Sequence, residues 1–373
     1  MKNNLFGFGC MRLPLLDKND QTSVDFELTE KLFDEYLERG FTYFDTAYVY
    51  HGEKGESIVK KALVDRHERS GFELATKLPL WNLKTKEQME EIFNKQLDNL
   101  GVKYVDYYLL HCLTKDNYKT AEELDAFEFI ANKKKLGYAK HIGFSFHDTP
   151  ELLDEILTKH GDAVDFVQLQ INYLDWEAEN VQSRRCLEVA KKHLKPVTVM
   201  EPCKGGKLVN ISEDAVELLK ECSPEKSIAS WAFRFCLSQS GVARVLSGMN
   251  SMEQLEDNLN TIDNFEHLSE KENEVLNKVV ELIQSKTAIA CTGCSYCTKE
   301  CPMNIAIPDY FELFNNSKAF PKAHDEQIAR YKNTISKNGK PIDCIECGQC
   351  EDKCPQHLEI RSLLKQVSEQ FDK

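Results

Sequence analysis

Eight short runs rich in β-branched and aromatic residues recur along the chain, each followed by a longer amphipathic segment. They read LFGFG (from Leu5), YFDTA (from Tyr43), FELATKL (from Phe72), VDYYLLH (from Val105), HIGFSFH (from His141), FVQLQIN (from Phe166), PVTVMEP (from Pro196) and VARVLSG (from Val242). In EQMEEIFNKQLDNLG, from Glu87 to Gly101, Met89, Ile92, Phe93, Leu97 and Leu100 fall at helical spacing, and Gly101 fits a helix stop. Strands nearly continuous in hydrophobics that alternate with helices imply a parallel sheet buried on both faces. Eight such units before residue 268 suit a closed (β/α)8 TIM barrel, which takes about 250 residues. The alternative, an open doubly wound sheet, calls for a glycine-rich fingerprint after the first strand. GFGCMR, from Gly7, lacks the third glycine and opens no helical pattern.

The pattern changes after Leu268. SEKENEVLNKVVELIQ, from Ser269, reads as a charged connecting helix. CTGCSYCTKECP then places Cys291, Cys294, Cys297 and Cys301 at Cys-x2-Cys-x2-Cys-x3-Cys-Pro, and CIECGQCEDKCP repeats the spacing with Cys344, Cys347, Cys350 and Cys354. Three thiolates in one short loop fit three corners of a cubane, and Pro302 and Pro355 turn the chain after the fourth cysteine. Zinc, the alternative, usually takes two Cys-x-x-Cys pairs. The spacing resembles that of bacterial ferredoxins, in which the fourth cysteine ligates the other cluster. The resemblance implies one [4Fe–4S] cluster on Cys291, Cys294, Cys297 and Cys354, and a second on Cys344, Cys347, Cys350 and Cys301. The spacer from Pro302 to Asp343 is long and contains YFELFNN (from Tyr310) and HDEQIARYKN (from His324), both readable as helices. A mostly α-helical ferredoxin-like dicluster domain is therefore expected. The chain reads as a barrel over 1–268, a connecting helix over 269–287 and a 4Fe-4S ferredoxin-type domain over 288–373.

A formal charge of −14 disfavours nucleic acid, where affinity comes from Lys and Arg, and also disfavours anionic membranes. No apolar run approaches the roughly 20 residues of a membrane span. The N-terminal segment is broken by Arg12 and Pro14 and carries no signal-peptide pattern. A cytoplasmic location is expected, and there 14 cysteines point to metal rather than disulfides. The six outside the two motifs (Cys10, Cys112, Cys186, Cys203, Cys222 and Cys236) read as small buried hydrophobes. Of these, Cys10 and Cys203 flank strand ends.

Polar residues interrupt the ends of the apolar strands: Asp45, Lys77, His111, Ser145, Asn172 and Glu201, with Tyr50 in the loop after Asp45. In a barrel these ends share one face, where active sites sit. Asp, Tyr, Lys and His together suit reduction of a carbonyl. A tyrosine can protonate the oxygen as hydride reaches the carbon, a lysine ammonium favours its phenolate, a carboxylate balances the buried lysine, and a histidine aligns the oxygen.

FDTAYVY, ELATK and LDNLGVKYVDYYLLH resemble the Asp-, Lys- and His-bearing segments of the aldo/keto reductase superfamily. The likeness continues through GESIVKKAL, IGFS, VQLQINY and WAFRFCLSQSGVARVLSGMNSMEQLEDNL, over about residues 5–265 and in the same order. It implies a catalytic tetrad of Asp45, Tyr50, Lys77 and His111, with Tyr50 as general acid. It also implies a nicotinamide site in which Ser145 and Gln168 hold the carboxamide, Ser247, Gly248, Met249 and Asn250 bind phosphate, and Asp257 and Asn258 meet the adenine. Three positions depart from the family. Phe146 replaces an asparagine, Met200 replaces the aromatic residue that stacks on nicotinamide, and Gly248 and Gln254 replace the cations that grip the 2′-phosphate. The cofactor is therefore expected to be NAD(P)H, with NADH favoured over NADPH. The whole chain resembles the iron–sulfur-containing aldo/keto reductase-like proteins of anaerobes, which implies a small carbonyl or alcohol substrate and an electron-transfer protein partner. Nicotinamide exchanges hydride whereas clusters pass single electrons, so a flavin/ferredoxin-coupled reductase is a second reading. A non-catalytic redox sensor or electron carrier is a third, against which the intact tetrad argues.

Overall fold

A computed structural model describes residues 2–17, 20–179, 181–286, 288–291, 293, 295–299, 301–354 and 357–372. Cys294 and Pro355 lie outside the described residues. Every apolar run forms a strand: β1 (Phe6–Gly9), β2 (Tyr43–Asp45), β3 (Glu73–Pro79), β4 (Val105–Leu113), β5 (Ala139–Phe146), β6 (Phe166–Gln170), β7 (Val197–Met200) and β8 (Val242–Ser247). All pair in parallel and in sequence order. β8 pairs with β7 on one side and with β1 on the other (Gly7 opposite Leu246), so the sheet closes into a barrel and the open-sheet alternative is excluded.

The surrounding helices carry the signals that the sequence suggests. The helix Lys86–Leu100 opens on a Thr85/Gln88 capping box and stops at Gly101, whose left-handed φ of 68° suits glycine. Its Phe93 packs edge-on against Tyr108 of β4, with ring centroids 4.8 Å apart. Between β1, β2 and the helix Phe26–Glu38, the rings of Phe8, Phe33, Tyr36 and Phe44 form one fully buried cluster. Each such ring contributes about 1.5–3 kcal/mol by leaving water. The Tyr36 hydroxyl donates to the Phe6 carbonyl at 3.1 Å. Toward the strands' N-terminal ends the interior is filled by Tyr43, Tyr107, Phe166, Leu246 and Arg244, whose guanidinium lies 3.8 Å from the Tyr43 ring centre. A Cβ at Gly7 would fall 2.5 Å from Leu246, so this packing needs glycine there.

By contacts the chain divides into two units: 1–204 with 229–268, and 205–228 with 269–373. In the second unit the helix Glu270–Ser285 starts at a Ser269/Glu272 capping box. It packs on the helix Glu213–Cys222, and Lys286 pairs with Asp214 at 2.8 Å. The helices Ile307–Ala319, His324–Ile335 and Ile360–Phe371 surround a core of Tyr310, Phe311, Phe314, Tyr331, Leu364 and Val367. No helix among the described residues is long and apolar enough to cross a membrane.

Candidate active site and cluster sites

The sheet brings Asp45, Lys77 and His111 to one face from three adjacent strands, and the turn after β2 adds Tyr50. Lys77 Nζ donates to Asp45 Oδ1 at 2.6 Å, to the Thr46 carbonyl at 2.8 Å and to the Tyr50 hydroxyl at 3.3 Å, which uses all three of its protons. Lys77 and Asp45 are both buried. Burial alone pulls the Lys77 pKa down, but Asp45 and Tyr50 outweigh it and the net shift is upward, so the ammonium persists. Burial raises the Tyr50 pKa, with Lys77 opposing; the net direction is up, so Tyr50 stays a phenol at neutral pH. The lysine effect expected from the sequence is present, but burial outweighs it. His111 is driven well below the usual histidine range, first by burial and then by Lys77 and His147, so its ring is neutral. Its Nδ1 is buried with no hydrogen-bond partner among the described residues.

Sequence reasoning missed several residues around this constellation. Immediately after Tyr50, His51, Gly52 and Glu53 all take left-handed backbone, at φ 50°, 63° and 67°. Strained backbone of this kind persists where surrounding contacts hold it. Here the buried His51 ring does so: Nδ1 lies 2.8 Å from the Gln21 carbonyl oxygen and Nε2 lies 2.9 Å from that of Cys10. Behind Lys77, Gln96 donates to the Lys77 carbonyl at 2.9 Å and to buried Glu56 at 2.8 Å. Trp81, 45% exposed, sets its ring 5.1 Å from that of His111. It stands in LWNLKTK, a loop that carries no ligand signature in the sequence.

The residues implied for a nicotinamide dinucleotide are also on the barrel. Ser145 Oγ, in β5, accepts the Cys112 N–H at 2.8 Å, where Cys112 itself has φ 57°. Gln168, in β6, donates to Asp45 Oδ2 at 3.2 Å. Phe146 and Met200 are the last residues of β5 and β7. Ser247 ends β8; Gly248, Met249 and Asn250 lead to Ser251, which caps the helix Met252–Asp263 by accepting from the Gln254 N–H. Gln254 in turn accepts the Asn250 N–H at 2.9 Å, and Asn258 donates to Ser247 Oγ at 3.1 Å. Asp257 lies one turn further along this helix. A helix N-terminus fed by a strand is a setting for phosphate. The sequence finds no cation at Gly248 or Gln254, but the fold supplies one nearby. A Cβ on Gly248 would lie 3.1 Å from the Arg12 Cβ, and the Arg12 guanidinium reaches Glu201 at 3.8 Å. Arg12 is thus the cation whose side-chain stem lies beside Gly248. Cys10 is fully buried and its thiol is pushed up by burial; burial, then Asp257, pushes Cys203 up to about 12. Neither suits a reactive thiolate.

The second unit repeats its own geometry. Gly293 and Glu346 have φ 74° and 57°, Ser295 and Gly348 have 60° and 80°, and Asn304 and His357 both have 51°. Cys301 N–H bonds the Thr298 carbonyl at 3.2 Å as Cys354 N–H bonds that of Glu351 at 3.1 Å. The duplicated spacing is thus a duplicated fold. Cys301, Cys344, Cys347 and Cys350 line one small pocket with Met303, Ile305, Ile307, Ile345, Leu364 and Arg361. Three cysteines come from the second motif and one from the first, the set implied for one cluster. Of the other set, Cys297 is buried and Cys291 and Cys354 are half-buried, while Cys294 lies outside the described residues. Among the described residues no three His, Cys, Asp or Glu converge tightly enough for a single metal ion. The donor chemistry around the cavity, four sulfurs in an apolar wall, fits a cluster.

The aldo/keto reductase family model matches residues 6–281, and a 4Fe-4S dicluster domain model matches residues 290–358. The chain belongs to the aldo/keto reductase family and is an oxidoreductase whose C-terminal region is an iron–sulfur dicluster domain. It is 27% identical over 298 residues to the uncharacterized oxidoreductase YqkF of Bacillus subtilis, covering 71% of this chain and 89% of that protein. Among solved structures it resembles the aldo-keto reductase AKR11C1 from Bacillus halodurans, at 26% identity and a TM-score of 0.58, over 74% of this chain and 91% of that one. It shares the fold of an aldo-keto reductase from Klebsiella pneumoniae in complex with NADPH, at 19% identity and a TM-score of 0.57, over 74% and 90% of the two chains.

Proposed function

We propose that the barrel interconverts a small carbonyl compound and its alcohol, with Tyr50 as general acid. The observation that carries this reading is one buried ammonium, Lys77, bonded to both the Asp45 carboxylate and the Tyr50 hydroxyl beside a neutral His111. His111 donates its one N–H to the substrate oxygen and fixes its position. As charge grows on that oxygen, Tyr50 passes it a proton, and Lys77 stabilises the phenolate left behind. Asp45 keeps Lys77 charged at low solvation cost. A positioned acid of this kind contributes roughly 10²–10⁴-fold. Nicotinamide dinucleotide, when bound, supplies the hydride. Ser145 and Gln168 would hold its carboxamide, residues 247–250 with the N-terminus of the helix Met252–Asp263 its phosphates, and Asp257 and Asn258 its adenine. Arg12 is the cation placed to reach a phosphate there, and Met200 offers a flexible apolar contact in place of an aromatic ring. The Klebsiella pneumoniae relative, solved with NADPH, supports a nicotinamide cofactor at the level of fold. The eight motif cysteines would hold two [4Fe–4S] clusters, which would supply one-electron transfer with a protein partner.

The test is anaerobic purification followed by iron, sulfide and cofactor analysis, then carbonyl reduction with NADH and NADPH. About eight irons, no flavin and turnover with nicotinamide are expected. Bound flavin with no nicotinamide turnover would overturn the reading in favour of a ferredoxin-coupled reductase.

The pH dependence follows from the directions above. Tyr50 is raised above 10.0, so it keeps its proton as pH rises toward that value; His111 is lowered below 6.5, so it stays a neutral donor as pH falls to that value. Carbonyl reduction should show no loss of kcat around the ordinary histidine value of 6.5, and an alkaline midpoint only above 10.0. A midpoint near 6.5, or an alkaline midpoint below 10.0, would contradict these protonation states.

His51 is proposed to position Tyr50 through the left-handed turn. His51→Ala removes the hydrogen bond that the ring N–H donates to one of the two carbonyls, which contributes about 1 kcal/mol. The expected result is a stability loss of about 1 kcal/mol in denaturant titration, with kcat lowered more than KM is raised. An unchanged kcat would show that the turn holds Tyr50 without the ring.

A further inference from the structure

At the catalytic face β4 and β5 fall out of step. They pair in register up to Leu110 opposite Phe144, and pair again only at Leu113 opposite Phe146. His111 and Cys112 therefore stand against Ser145 alone, which is a β-bulge, while on its other side His111 keeps its place opposite Pro79 of β3. A bulge beside an active site re-aims a side chain. Here the residue it carries is the histidine of the site.

The bulge is closed by Cys112 in left-handed backbone, at φ 57°, where a Cβ is unfavourable and glycine is the usual residue. Such a conformation persists where its surroundings hold it. Side chains hold both peptide groups of Cys112. Its N–H donates to Ser145 Oγ at 2.8 Å, and its carbonyl accepts from Asn117 Nδ2 at 2.6 Å. Asn117 is fixed in turn. It stands in the first turn of the helix Lys115–Glu123, and its N–H donates to the hydroxyl of the capping Thr114 at 3.4 Å. Neither bond to Cys112 belongs to the strand ladder or to the helix, so regular structure alone does not account for the turn.

We propose that Asn117 is a positioning residue that acts through His111. With Ser145 it holds Cys112 in the left-handed turn, and the turn fixes the direction from which the His111 ring meets the carbonyl oxygen. The Asn117 amide bonds backbone and not a reacting group, so its effect on the reaction passes through the turn. Ser145, implied at the nicotinamide carboxamide, ties the same turn to the cofactor site. The inference rests on the carbonyl reduction proposed above.

The test is a mutant cycle on the intact, cluster-loaded chain, reading kcat for aldehyde reduction, nicotinamide affinity and the crystal structure of each variant. Alanine suits a helix, so Asn117→Ala removes the amide without unsettling the helix Lys115–Glu123. It should lower kcat roughly tenfold to hundredfold, the effect of a misplaced catalytic group, with nicotinamide affinity unchanged. In a His111→Ala background the same change should have no further effect. Glycine takes the left-handed turn without a Cβ penalty. Cys112→Gly should therefore keep kcat near wild type, and adding it to Asn117→Ala should recover most of the loss. The crystal structure of Asn117→Ala should show the Cys112 turn and the His111 ring displaced. An unchanged kcat in Asn117→Ala, an equal loss in the His111→Ala background, or a loss that Cys112→Gly leaves in full would overturn the proposal. A wild type without aldehyde reduction would instead defeat the carbonyl-reduction reading. The crystal structures then decide the positioning claim, and an Asn117→Ala chain with Cys112 and His111 unmoved overturns it.

Discussion

Replacing Tyr50 with Phe should cut kcat for carbonyl reduction by roughly 10²–10⁴-fold while leaving the fold and cofactor affinity near wild type. The hydroxyl is small, and its one mapped bond is the 3.3 Å contact from Lys77. Removing it leaves the Lys77 ammonium bonded to Asp45 and the Thr46 carbonyl, so little stability is lost. The loss belongs to the transition state, where negative charge on the substrate oxygen would find no proton. Steady-state kinetics with a reactive aldehyde, together with a binding titration of the nicotinamide, check this. A Tyr50→Phe protein that retains wild-type kcat would assign the proton to another group, or to water.

The second large effect is at Lys77. Lys77→Met removes the partner of a buried carboxylate. Asp45 keeps the Gln168 amide at 3.2 Å but loses its 2.6 Å ion pair. Breaking a buried pair on one side costs about 3–5 kcal/mol, because the remaining charge stays desolvated. Activity should fall as well, on the order of 10²–10³-fold, since no cation is left to stabilise the phenolate. The double variant Lys77→Met, Asp45→Asn separates the effects: it should recover most of the stability and none of the activity. Denaturant unfolding and kinetics on the same preparations check both. Recovery of activity in the double variant would show that Lys77 acts only as a structural counter-ion.

The barrel was legible because its strands are buried on both faces, so each appears as an unbroken apolar run with punctuation at its ends. The grouping of Asp45, Tyr50, Lys77 and His111 was legible for a related reason: a lone polar strand end is ordinary, but several in adjacent strands meet where the barrel brings those ends together. The cysteine repeat exposed the cluster domain by spacing alone, and its sulfurs do gather from both copies around one cavity. What escaped the sequence depends on contacts between distant segments. Arg12 and Gly248 lie at opposite ends of the barrel sequence and meet only because β8 closes onto β1. The His51 ring sits between two backbone carbonyls, a partner type that every residue carries and no motif marks. The net rise at Tyr50 depends on how deeply the turn buries it, which the Tyr–Lys pairing alone does not fix. The segment 205–228 follows β7 in the chain yet groups with the C-terminal unit, an association set by packing against the helix Glu270–Ser285.

The central claim, hydride reduction at the Tyr50–Lys77 site, is tested most directly by isotope transfer. The anaerobically purified chain is incubated with nicotinamide cofactor deuterated at the hydride position and an aldehyde, and the alcohol is analysed by mass spectrometry. One deuterium at the carbinol carbon is expected, and Tyr50→Phe should slow its appearance. An alcohol formed without deuterium, or formed only when dithionite reduces the clusters, would contradict the account and place the reducing electrons in the iron–sulfur domain.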